Sequence, residues 1–126
     1  MTARYGSGGP WEDAFGYSRA VVAGPFALTA GCTSTVDGVV THVGDPSGQA
    51  REAFGIALHA LAKAGASVEQ VVRTRMYIVR TEDADAVGRV HGELFGSVKP
   101  ASTLVVVAAL INPDHLVEVE VEAYLG

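Results

Sequence analysis

Residues 115–126 read HLVEVEVEAYLG. Val117, Val119 and Val121 alternate with Glu118, Glu120 and Glu122. A period of two is that of a β-strand, so the valines share one face and the carboxylates share the other. One face is written for a core, while the other carries a row of like charge. Side chains two positions apart on a strand are separated by about 6.6 Å. Unit charges at that spacing repel by roughly 2.5 kcal/mol at an effective dielectric near 20, and by about 0.6 kcal/mol in water. A half-buried acidic row therefore needs counter-charge. The stretch 71–79, VVRTRMYIV, is β-branched and alternates Arg73, Arg75 and Tyr77 on one face. It is predicted to face the glutamates, on a neighbouring strand or across an axis between subunits.

Working outward, SRAVVAGPFALTAGCTS (18–34) predicts two short strands near 19–23 and 26–31, joined by a tight turn at Gly24-Pro25. The segment before it is rich in glycine and aromatic residues and reads as an irregular lead-in, with Trp11 and Phe15 packing it onto the body or onto a neighbour. TSTVDGVVTHVGDPSG (33–48) reads as loop with a turn at Asp37-Gly38. A first helix follows, capped by Asp45 or Ser47 and entered through Pro46. Ala53, Phe54, Ala57, Leu58 and Leu61 form its apolar face, and Gly65 stops it. After the strand near 70–79, a second helix runs from about Glu82 to Gly96, capped by Thr81, with Val87, Val90, His91, Leu94 and Phe95 on one face. Pro100 blocks further helix. STLVVVAAL (102–110) is nearly continuously apolar and is predicted to be a strand buried on both faces.

The order is β-β-α-β-α-β-β in one domain spanning 1–126, an α+β arrangement. Two helices cover only one face of such a sheet, so a partner subunit is expected on the other. The formal net charge of −5 argues against nucleic acid or an anionic membrane as partner. No run approaches the roughly 20 apolar residues of a membrane span. No secretion signal is read at the start, and Cys32 is the only cysteine. A reducing cytoplasm is the expected location. Too few Cys and His stand at ligand spacing to suggest zinc, so no metal is expected.

The element order, the KPASTLVVVAAL segment (99–110) and the closing VEVEVEA (117–123) resemble the Rid family, also called the YjgF-type or reactive intermediate deaminase family. The resemblance runs from about Tyr17 to Tyr124. It implies a chorismate-mutase-like fold and a homotrimer with a central barrel and clefts between subunits. It also implies hydrolysis of reactive enamines and imines to a keto acid and ammonium, without metal or organic cofactor. By the same resemblance, the family's tyrosine near the first strand matches Tyr17 and its water-holding glutamate matches Glu120. The family's serine falls at Ala30, followed by Gly31, and its asparagine falls at Gly88, beside Val87. The arginine that clamps the substrate carboxylate falls at Ser102. The water-activating end is thus present and the carboxylate clamp is missing.

Each candidate also has a plainer reading. Glu120 can move protons to and from water and nitrogen, or can belong to a solvated strand face. Arg75 can pair with the glutamates or reach the cleft. Ser102 and Thr103 can hydrogen-bond a neutral polar ligand, although no motif places a base beside Ser102 for nucleophilic catalysis. His91 can be a hydrogen-bonded core residue or a cleft acid/base group. Gly88 costs the helix about 1 kcal/mol relative to alanine, so close packing or a wide ligand is expected to use its space. Tyr17 can close over a ligand or simply pack. Cys32 reads as a small buried hydrophobe. The functional expectation is a small reactive metabolite hydrolysed in an intersubunit cleft. The alternative is a trimer that binds a metabolite without turnover. An endoribonuclease role fits an acidic chain least.

Overall fold

The computed structural model describes residues 2–126. In chain order its main elements are β1 (Thr2–Tyr5), α1 (Pro10–Phe15), β2 (Ala20–Ala23), β3 (Phe26–Thr29), β4 (Thr35–Val36), β5 (Val39–Val40), α2 (Pro46–Lys63), β6 (Val71–Ile78), α3 (Ala84–Phe95), β7 (Ala101–Val106) and β8 (Val117–Tyr124). Six strands form one mixed sheet in the order β1-β2-β3-β8-β6-β7. Strand β8 lies antiparallel between β3 and β6, and β7 runs parallel to β6 at one edge.

Alternation along β8 does what its pattern requires. Val117, Val119, Val121 and Ala123 are fully buried, and the glutamates between them are half-buried. Strand β6 matches it, burying Thr74, Met76 and Ile78 on the valine side. Helices α2 and α3 cover that side with Phe54, Leu61, Val87, Val90 and Phe95, which join the valines in one core. Asp45 caps α2, its side chain accepting from the Gly48 amide at 3.0 Å. The opposite sheet face has no helix on it.

Four expectations change. The lead-in is ordered: β1 adds a strand beside β2, and a short helix starts with Pro10 at its first turn and ends at Gly16, whose φ is 76°. Those punctuation signals were present, but six residues are too few to show a period. Trp11 and Phe15 stack on each other at 5.2 Å and stay exposed, rather than packing on the body. The 33–48 segment contains the β4–β5 hairpin, whose turn residues Asp37 and Gly38 both take positive φ, as a tight hairpin demands. Thr81 does not cap α3; a 3-10 turn over Thr81–Asp83 precedes it, and Arg80 pairs with Asp83 at 2.9 Å. Finally, β7 is an edge strand and is largely exposed, not buried on both faces. An apolar run reports that something covers a strand, and cannot say whether the cover lies in the same chain.

Phe54 is completely buried and packs edge-on against Phe95, with ring centroids 5.3 Å apart. Phe54→Ala is expected to destabilise the chain by about 3–5 kcal/mol, measured as a lower urea midpoint with the slope unchanged.

Candidate functional site

The open sheet face carries the acidic row. Across the β6–β8 ladder, Arg75 is paired in register with Glu120 and Tyr77 with Glu118. The side chains lean one step along the strand. Arg75 Nη1 donates to Glu122 Oε1 at 2.6 Å and lies 3.6 Å from Glu120 Oε1. Tyr77 donates its hydroxyl to Glu120 Oε1 at 2.5 Å. That hydrogen bond is the main cause holding the phenol above its ordinary value of 10.0, so the proton stays on Tyr77 as a donor. The expected counter-charge from β6 is therefore supplied by Arg75. Arg73 makes no ion pair with a carboxylate among the described residues, and the ladder is interrupted by a bulge beside it, between Val71 and Arg73.

Glu118 is set apart from the other two. Its carboxyl lies over Gly31, where any added Cβ would collide with it. Arg19 donates from Nη1 to the Gly31 carbonyl at 2.6 Å, and its guanidinium sits 5.6 Å from the centre of the Tyr17 ring. Cys32 is buried beside it, and burial is the main cause pushing its thiol up. Burial, helped by the Glu120 charge, also raises the Glu118 carboxyl above 4.5, with Arg19 opposing.

Tyr17 and Ala30 line an open groove of about 630 Å³ together with Arg4, Val21 and Leu28. Arg4 pairs in register with Val21, Val21 with Leu28, and Leu28 with Glu122. Residues paired in register point to one side, so the groove and the acidic row share the open face. Thr103 is in register with Arg75 and belongs to that face too.

The remaining predicted residues lie on the helix side. Ser102 is in register with Thr74, whose hydroxyl donates to Ser102 Oγ at 2.8 Å. His91 Nε2 lies 2.7 Å from Thr74 Oγ1 and 3.4 Å from Ser102 Oγ. Burial holds His91 below its ordinary value of 6.5. A base thus stands beside Ser102 although no motif announces it. Gly88 precedes His91 by one helical turn and has nothing within 4 Å of where a Cβ would be, so close packing does not use its space. Val87 is fully buried in the core and offers no surface to a ligand. Within one chain, Glu120, Thr103, Tyr17 and Ala30 share one face and Ser102, His91 and Gly88 the other. Three participants were not singled out for the site from sequence: Tyr77, Thr74 and Arg19. Only Tyr77 had a signal, its place on the same alternating face as Arg75. No helix among the described residues is long and apolar enough to cross a membrane.

The family model described as Endoribonuclease L-PSP matches residues 11–125. The chain belongs to this YjgF/Rid family. It is 48% identical over 123 residues to the uncharacterised protein SCO2049 of Streptomyces coelicolor, covering 98% of this chain and 92% of that one. It is 33% identical over 86 residues to the 3-aminoacrylate deaminase RutC of Acinetobacter baylyi, covering 68% of each. The crystal structure of Rv2704 from Mycobacterium tuberculosis, a member of the YjgF/YER057c/UK114 family, superposes with a TM-score of 0.89 at 40% identity, covering 98% of this chain and 99% of that one. The mixed sheet with two main helices on one face is the fold of those structures.

Glu118 gives the site a measurable pH signature. The folded protein binds its proton more tightly than the unfolded chain does. Its contribution to stability is therefore fully present below 4.5 and is lost as pH rises through the raised value. Glu118→Gln is expected to flatten the stability–pH profile in that window and to raise the urea midpoint at neutral pH. Urea titrations at stepped pH check this, and an unchanged profile counts against it.

Proposed function

We propose that this Rid-family protein hydrolyses a small reactive enamine or imine, releasing ammonium. Glu120 takes a proton from the attacking water and returns one to nitrogen. The reading is carried by one observation: Glu120 is held by the Tyr77 hydroxyl and by Arg75 on the same face as the Tyr17 groove. A carboxylate fixed by two donors has a defined free lone pair for water, which general base catalysis requires. The 33% identity to a 3-aminoacrylate deaminase supports the same reaction class. Tyr17, Thr103 and Ser102 are assigned to substrate binding, with Ala30 and the Gly31 backbone shaping the groove. No metal or organic cofactor enters this scheme.

The site is completed in a homotrimer. The open face and the β7 edge expose Phe26, Leu28, Tyr124 and Val105, which is more apolar surface than a monomer needs to leave bare. Copies packed on this face would cover it and bring the Ser102 side of one chain to the Glu120 side of another. The location is proposed to be cytoplasmic, with no nucleic acid or membrane partner. A second reading, a trimer that binds a metabolite without turnover, is favoured by Ser102, which cannot pair bidentately with a carboxylate.

Ammonium release from imines generated by an amino-acid oxidase separates the two. Acceleration by the wild type that Glu120→Gln reduces on the order of a hundredfold or more supports hydrolysis. No acceleration across substrates with and without a carboxylate leaves the binding reading. Ser102→Arg is expected to gain activity on 2-imino acids. Light scattering is expected to give three times the chain mass, and Arg75→Ala, which strips Glu122 of its donor, is expected to lower the melting temperature and weaken the trimer.

A further inference from the structure

The polar cluster at the β6–β7 edge is not needed to explain water activation by Glu120. Its three members differ sharply in access. Thr74 is fully buried, His91 is half-buried and Ser102 is exposed. Only the Ser102 hydroxyl can meet a ligand. His91 is held from both sides, with Phe54 edge-on at 5.7 Å and Phe95 tilted at 4.8 Å. Its Nε2 therefore stays aimed at the two hydroxyls.

We propose that Ser102 is a nucleophile activated by His91, giving the protein a second activity on small activated acyl compounds such as esters. A proton can leave Ser102 directly to His91 Nε2, 3.4 Å away, or through Thr74, which lies 2.8 Å from one and 2.7 Å from the other. Nucleophile–base distances of this length are common before substrate closes the site. Burial keeps the imidazole neutral near pH 7, the form that accepts a proton.

Electrophile stabilisation comes from the free edge. Strands β6 and β7 are parallel, and the Val107 amide donates to the Ile78 carbonyl. In a parallel ladder the amides alternate in direction, so Thr103 and Val105 point theirs at β6 while Ser102 and Leu104 point theirs outward. The outward Ser102 amide is placed to donate to an oxyanion formed at its own side chain. Gly88 leaves open space on the same helix face as His91, suited to a short acyl group.

The chemistry closes. Ser102 Oγ forms a bond to the acyl carbon as its proton passes to Nε2 and the carbonyl π pair moves to oxygen. The tetrahedral centre collapses, the leaving group departs and takes the proton from Nε2. Water then attacks the acyl-enzyme, gives a proton to Nε2, and the acid leaves as that proton returns to Ser102. Water is the only co-reactant.

This activity does not rest on imine hydrolysis, and the two are read by different substrates on the same preparation. The test uses the full-length protein with a fluorophosphonate probe, mapped by peptide mass, and p-nitrophenyl acetate for a burst of nitrophenolate. Labelling is expected on Ser102 and is lost in Ser102→Ala, an exposed position that leaves the fold intact. His91→Gln is expected to slow labelling on the order of a hundredfold. Thr74→Val leaves labelling intact if the direct path operates and slows it if Thr74 relays the proton. Should His91→Gln fail to fold, the wild-type rate settles the point: it is expected to fall as His91 protonates below 6.5. A wild type labelled no faster than Ser102→Ala, a His91→Gln variant labelled at the wild-type rate, or a rate flat between about pH 5 and 8 overturns the proposal.

Discussion

The pairing of β8 with β6 at the centre of the sheet is the constraint on which the rest of the structure depends. These are the two longest strands, eight residues each, and both alternate strictly. Their shared register puts every valine of β8 and every core residue of β6 on the helix side. It also puts every glutamate and the Arg75–Tyr77 pair on the other. A slip of one residue would bury three carboxylates and expose the valines, so the register has no near competitor.

That register sorts three chemically identical glutamates into three environments. Glu122 accepts from Arg75, Glu120 accepts from Tyr77, and Glu118 is left to desolvation against Gly31. The ordering follows from which residue stands diagonally across on β6 and on the chain leading out of β3. Like charges about 6.6 Å apart coexist because each meets a different partner, or in the case of Glu118 retains its proton more tightly.

The edge at β7 is where this chain departs from the pattern its resemblance implies. Position 102 carries a hydroxyl rather than a guanidinium, and that hydroxyl is tied into a buried network with Thr74 and His91. A long cation there would have no reason to be held by those groups. A short hydroxyl is positioned by them. The same position thus changes from holding charge on a ligand to presenting an oriented oxygen.

The sequence by itself determined the strands and helices whose period is long enough to read, the two faces of β8, and the need for Arg75 opposite the acidic row. Glu120, Tyr17 and Ser102 were legible as candidates through the resemblance. The short N-terminal strand and helix were not, because a few residues show no period. Nor could the apolar run at 102–110 say that it forms an exposed edge, since hydrophobicity records burial and not the source of the cover. The division of the candidate residues between two sheet faces, the base beside Ser102, and the hydrogen bond from Tyr77 to Glu120 were decided only by tertiary structure. Each of them joins residues between 11 and 43 positions apart in the chain. Only the packing of a helix on a sheet, or the register of one strand against another, fixes such distances.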